Sequence, residues 1–154
     1  MPVKPILYHE VDGVLVAPLS LSQTKGFRPG IIEWLTFVHE HFSVVWLTTR
    51  PPREVFFILD TIWSKQFREY RMKNSPYINP ECENWQPFNS KDDYLSANRA
   101  KLAGIQWFWI DDQIPSEKRL EQLCLEPWRC LRVNPIDRLV KIQGRLSQLL
   151  TKSS

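Results

Sequence analysis

Glu10 and Asp12 are two residues apart in the stretch YHEVDGVLV at positions 8–16, directly after the apolar run Pro5-Ile6-Leu7-Tyr8. If that run is a strand, residues i and i+2 project to the same side, so both carboxylates leave its end together. Gly13 then lets the backbone turn where a side chain would obstruct it. Taken alone, the stretch is equally well described as a strand that ends in a solvated acidic turn. Other polar residues fall at comparable places further along. Thr48 and Thr49 end the apolar run 43–47, Lys91 opens a helical segment, and Asp111 and Asp112 end the apolar run 105–110. Acids from two places, a hydroxyl and a lysine are what a Mg²⁺-assisted phosphoryl site requires. Carboxylates hold a hard cation, while hydroxyl and ammonium groups hold phosphate oxygens and offset their charge.

The elements that must position these groups can be read from periodicity. Residues 5–9 give a first strand, followed by an irregular polar loop from Ala17 to Pro29. Pro29-Gly30 opens a helix whose Ile31, Ile32, Leu35, Val38 and His39 share one face. A second strand over 43–47 leads into a helix from Arg53 to Met72. Residues 74–90 are rich in Pro and Asn and read as loop, with one short strand near Tyr77-Ile78. Ser90 is placed to cap a helix from Lys91 to Gly104, with Asp92 and Asp93 in its first turn. A third strand over 105–110, a short helix 116–123, a fourth strand 129–133 and a last helix 139–149 complete the order. Strands that are apolar throughout and alternate with helices predict a mainly parallel sheet covered on both faces, an α/β Rossmann-like fold. In such a sheet all strand C-termini share one edge, where ligands bind.

The 154 residues suit one domain spanning 1–154, and a hydrophobic content of 43% with 24% charged residues is ordinary for a globular protein. The formal net charge of +3 is too small to argue for nucleic-acid binding by itself. Cys82, Cys124 and Cys130 are odd in number and lack a CxxC spacing, which points away from a disulfide framework or a zinc site and toward a reducing cytosol. No apolar run is long enough to cross a bilayer, so no membrane partner and a cytoplasmic location are expected.

EVDGVL at 10–15, VVWLT at 44–48, Lys91 and WFWIDD at 107–112 together resemble the four motifs of the haloacid dehalogenase (HAD) superfamily. The likeness covers roughly residues 3–150 and is closest to the cap-less HAD domains of the Swiss Army Knife RNA repair proteins, which carry similar VDGVL, WLT and W-x-DD segments and a late V-x-P like Val133-Asn134-Pro135. The resemblance implies a three-layer Rossmann-like domain with no cap. It also implies Mg²⁺ held by Glu10, Asp12, Asp111 and Asp112, phosphate held by Thr48, Thr49 and Lys91, and catalysis by Glu10, Asp12, Thr48 and Lys91. Asp12 would be the general acid and then the base that activates water.

One position departs from the pattern. The family's phosphatases attack phosphorus with an aspartate where this chain has Glu10. The added methylene displaces the carboxylate by about an ångström, enough to cost about a hundredfold where in-line attack must be aligned. The expectation is therefore a HAD-like protein impaired or inactive as a phosphatase, with a Mg²⁺- and phosphate-compatible pocket retained. Two alternatives stand beside it: a working phosphatase acting on phosphorylated nucleotides or nucleic-acid ends, and a protein-interaction module. Lys65, Arg68, Arg71 and Lys73 could meet RNA phosphates beside Phe67 and Tyr70, or form a solvated helix face. Trp85, in a polar loop, could stack on a base or close a partner surface, and His9 alternates away from the acids as a packed or surface residue.

Overall fold

The structure, a computed structural model, describes residues 3–18, 25–64 and 80–152. Four strands form one all-parallel sheet: β1 (Ile6–His9), β4 (Ser43–Trp46), β5 (Trp107–Asp111) and β6 (Cys130–Arg132), in the order β4-β1-β5-β6. Between β1 and β4 lie β2 (Val16–Pro18), β3 (Lys25–Phe27) and helix α1 (Ile31–His41). Helices α2 (Pro52–Ser64) and α3 (Lys91–Asn98) come before β5, α4 (Glu117–Gln122) before β6, and α5 (Leu139–Lys152) ends the described chain. The fold is therefore α/β. Its central strands β1 and β5 are buried on both sides, which explains why they read as continuous apolar runs, while the edge strands β4 and β6 each keep one exposed residue. Leu7, Trp46, Phe108 and Ile110 pack with residues of α1, α2 and α5, such as Trp34, Leu59 and Ile142. Tyr8, Val45, Trp107 and Trp109 pack with Tyr94 and Leu95 of α3 and Leu120 of α4.

The structure departs from the sequence reading in several places. The stretch from Ala17 to Pro29 is not wholly irregular. Val16–Pro18 and Lys25–Phe27 pair antiparallel as a two-stranded ribbon, in strands too short for alternation to show. On α1 the buried face consists of Ile31, Trp34, Leu35 and Val38, so Trp34 joins it and His39 lies at its margin. The α-helical part of the third helix stops at Asn98. Turns carry the chain on to Gly104, whose φ of +76° suits glycine. The last helix reaches Lys152. Ser90 caps α3 as expected, its hydroxyl accepting from the Asp93 N–H at 3.2 Å. The basic stretch 65–73 and the strand expected near Tyr77-Ile78 lie outside the described residues. Among the described residues no helix is long and apolar enough to cross a membrane.

Candidate functional site at the strand ends

After β1 the chain crosses to β4 on one side, and later returns to β5 on the other, so the winding reverses between β1 and β5. The C-terminal edge at such a reversal opens a crevice, because the loops leaving the two strands diverge to opposite faces. Glu10 follows β1 and Asp111 ends β5. The paired register His9↔Ile110 brings these two acids side by side. Lys91, the first residue of α3, reaches between them: its ammonium donates to Glu10 Oε2 and, at 2.7 Å, to Asp111 Oδ2. The trio is shielded, with side-chain exposures of 13% for Lys91, 7% for Glu10 and 2% for Asp111. Burial works against the Lys91 charge, but the Asp111 and Glu10 carboxylates outweigh it and raise the lysine's pKa. Burial also raises Asp111, against the pull of Lys91. Glu10 Oε1 accepts from the Val11 N–H at 2.7 Å, so both oxygens of that carboxylate are engaged.

Asp12 joins a different cation. Its two oxygens accept from Nε and Nη2 of Arg50, both at 2.8 Å, a fork-on-fork pair. This pair is open to water, with side-chain exposures of 33% for Arg50 and 41% for Asp12. The hydrogen bond to Asp12 is the main reason the Arg50 pKa is raised. Arg50 also approaches Glu54 on α2 at 3.4 Å. Thr48 is buried at the end of β4. Its hydroxyl oxygen accepts from the Arg50 N–H at 3.2 Å, while Thr49 is exposed. Trp85 connects the two parts: its indole N–H donates to the Thr48 carbonyl at 3.0 Å, and its ring lies 5.9 Å from the Lys91 ammonium. The ring is partly buried and packs against the core cluster that contains Tyr8 and Tyr94. Asp112 packs against Gly13, where an added Cβ would fall 2.2 Å from the Asp112 carboxyl carbon. With φ at +79°, that turn admits glycine and little else.

Two features of the site were missed in the sequence. Arg28 is a buried guanidinium that donates to the carbonyls of Gly13 (2.7 Å), Val14 (2.8 Å), Asn134 (3.2 Å), Pro135 (3.1 Å) and Asp137 (2.7 Å). It thus fixes the turn after Asp12 to the segment that follows β6. Arg50 was visible as the last letter of Thr48-Thr49-Arg50, and its place at a strand end was the available signal. For Arg28 there was none. His9 is fully buried. Its Nε2 accepts from the Trp34 indole N–H at 2.9 Å, so the ring proton is on Nδ1 and is donated to the Glu10 carbonyl at 2.6 Å. Burial holds its pKa down at about 3, making it a neutral packing residue.

The structure therefore brings Glu10, Lys91 and Asp111 into contact, sets Asp112 against Gly13, and joins Asp12 to Arg50. The four acids are carboxylate donors of the kind Mg²⁺ takes, so the donor chemistry fits that ion. Among the described residues, however, no three His, Cys, Asp or Glu side chains are grouped as a metal centre. Lys91 and Arg50 supply the positive charge that faces Glu10, Asp111 and Asp12. No protein-family model matches this chain, and no curated protein matches it in sequence.

Proposed function

We propose that this chain is a three-layer, cap-less HAD-like domain whose phosphatase chemistry is impaired and whose strand-end pocket still accepts a phosphate group. The observation that carries the reading is the state of Glu10. One of its oxygens takes the Val11 N–H and the other takes Lys91. A nucleophile must present a free lone pair in line with the phosphorus, and a longer side chain tied at both oxygens is poorly placed to do so. Lys91 would still offset charge on a bound phosphate, with the Trp85 ring 5.9 Å from its ammonium and tied to the Thr48 carbonyl. When bound, Mg²⁺ would be held by Asp111 and Asp112 together with Glu10, and would neutralise phosphate oxygens as a Lewis acid.

Hydrolysis of a generic aryl phosphate in the presence of Mg²⁺ tests this reading. The native chain is expected to give negligible turnover, and Glu10→Asp, which restores the shorter side chain, to give measurable turnover. Native activity that vanishes in Glu10→Gln would establish a working phosphatase on phosphorylated nucleotides or nucleic-acid ends instead. Silence from both the native and Glu10→Asp chains would favour an interaction module that keeps the pocket as part of its fold.

A further inference from the structure

We propose that Arg50 is the phosphate-binding arm of the pocket and that Asp12 is its resident competitor, holding the guanidinium until a phosphate monoester displaces the carboxylate. This rests on the reading above for the class of ligand and adds the residue that captures it. The geometry starts with the pair itself. Nε and Nη2 of Arg50 each stand 2.8 Å from one oxygen of Asp12, the arrangement in which a guanidinium also takes two phosphate oxygens.

Access separates this cation from the other one. Lys91 is enclosed with Glu10 and Asp111, whereas Arg50 and Asp12 are a third and two fifths exposed, so water and an incoming ligand can reach both partners. Arg50 also borders a cleft of about 410 Å³, lined by Thr48, Thr49, Asn84 and Gln86 among others. That volume accommodates the organic part of a small ester, and the Asn84 and Gln86 amides offer it donors and acceptors. The ligand must outcompete a carboxylate already in place, which selects its charge. A monocarboxylate would only exchange like for like. A phosphate monoester dianion brings a second negative charge and a third oxygen. Glu54 lies 3.4 Å from Arg50, and Glu83 lines the cleft, so affinity for inorganic phosphate alone should be low and should fall with salt.

The test is calorimetric titration of the full chain with inorganic phosphate, a nucleoside 5′-monophosphate and a 5′-phosphorylated oligonucleotide. Removing the competitor should strengthen binding: Asp12→Asn keeps the side-chain shape, frees the guanidinium, and is expected to tighten phosphate binding by about tenfold, the scale of one charge-assisted pair. Arg50→Gln should abolish binding, and Arg50→Lys, which keeps the charge but loses the fork, should weaken it by about tenfold. The mononucleotide and oligonucleotide arms decide whether the ester comes as a free nucleotide or a nucleic-acid end. The proposal is overturned if Asp12→Asn binds phosphate no more tightly than the native chain, if neither binds it, or if Arg50→Gln binds it undiminished. Turnover by Glu10→Asp with an unchanged KM in the added Arg50→Gln background would sink this assignment and leave the phosphatase-derived reading intact. Arg50-dependent phosphate binding without any turnover in Glu10→Asp would do the reverse.

Discussion

Two cation–carboxylate groups share one edge of the sheet, and the main difference between them is access to water. Lys91 stands between Glu10 and Asp111 in a shielded crevice, and Arg50 grips Asp12 at its mouth. The inner group has lost its hydration, so its charges depend on one another and none can leave cheaply. The outer group keeps much of its hydration, so its attraction is screened and its partners are exchangeable. The same residue types therefore serve two ends, one holding the strand ends together and the other remaining open to a ligand.

Removing Lys91 should break the comparison most severely. Lys91→Met leaves two neighbouring buried carboxylates without their cation and is expected to cost about 3–5 kcal/mol in urea unfolding, the scale found when one partner of a buried pair is deleted. A loss below ~1 kcal/mol would place the inner group in the same class as the outer one.

Acid provides a second, smaller perturbation of the buried side. His9 precedes Glu10 and is sealed in its neutral form, with a folded pKa of about 3 against an ordinary 6.5. Between those values the unfolded chain binds a proton that the folded chain refuses, so this contribution is complete above pH 6.5 and declines as pH falls toward 3. The slope is about 1.4 kcal/mol per pH unit, so roughly 2 kcal/mol should be gone by about pH 5. His9→Gln should flatten that limb in a series of urea titrations across pH. An unchanged slope in the variant would mean that another group carries the dependence.

Cutting the outer pair should matter least to the fold. Arg50→Gln is expected to lower stability by less than ~1 kcal/mol, because the pair is exposed and screened. A loss of several kcal/mol would show that Arg50 is structural and would remove the contrast between the two groups.

Most of the frame was legible because it is local. Runs such as Val44-Val45-Trp46-Leu47 and Trp107-Phe108-Trp109-Ile110 announce buried strands, and Ser90 announces a helix start within three residues of the N–H it caps. The residues at the strand ends were legible for the same reason, since a polar group that abruptly ends an apolar run is a local signal. Partner choice was not. Asp12 was grouped with the other acids, yet it pairs with Arg50, 38 positions away, and that choice depends on how β4 emerges beside β1. The β2–β3 ribbon also escaped notice, because three-residue strands give alternation no room to show.

Arg28 has a consequence for the order in which the chain can be finished. Its guanidinium is dissolved in backbone carbonyls, two from residues 13 and 14 and three from residues 134, 135 and 137. Until the latter segment exists, the Arg28 guanidinium has only the carbonyls of Gly13 and Val14, and burying it there would be unfavourable because three of its five acceptors are missing. During synthesis the turn beside Asp12 would therefore reach its final shape only when residue 137 has emerged. The pocket would then be completed in a single late step, and a nascent chain would not present a half-built site.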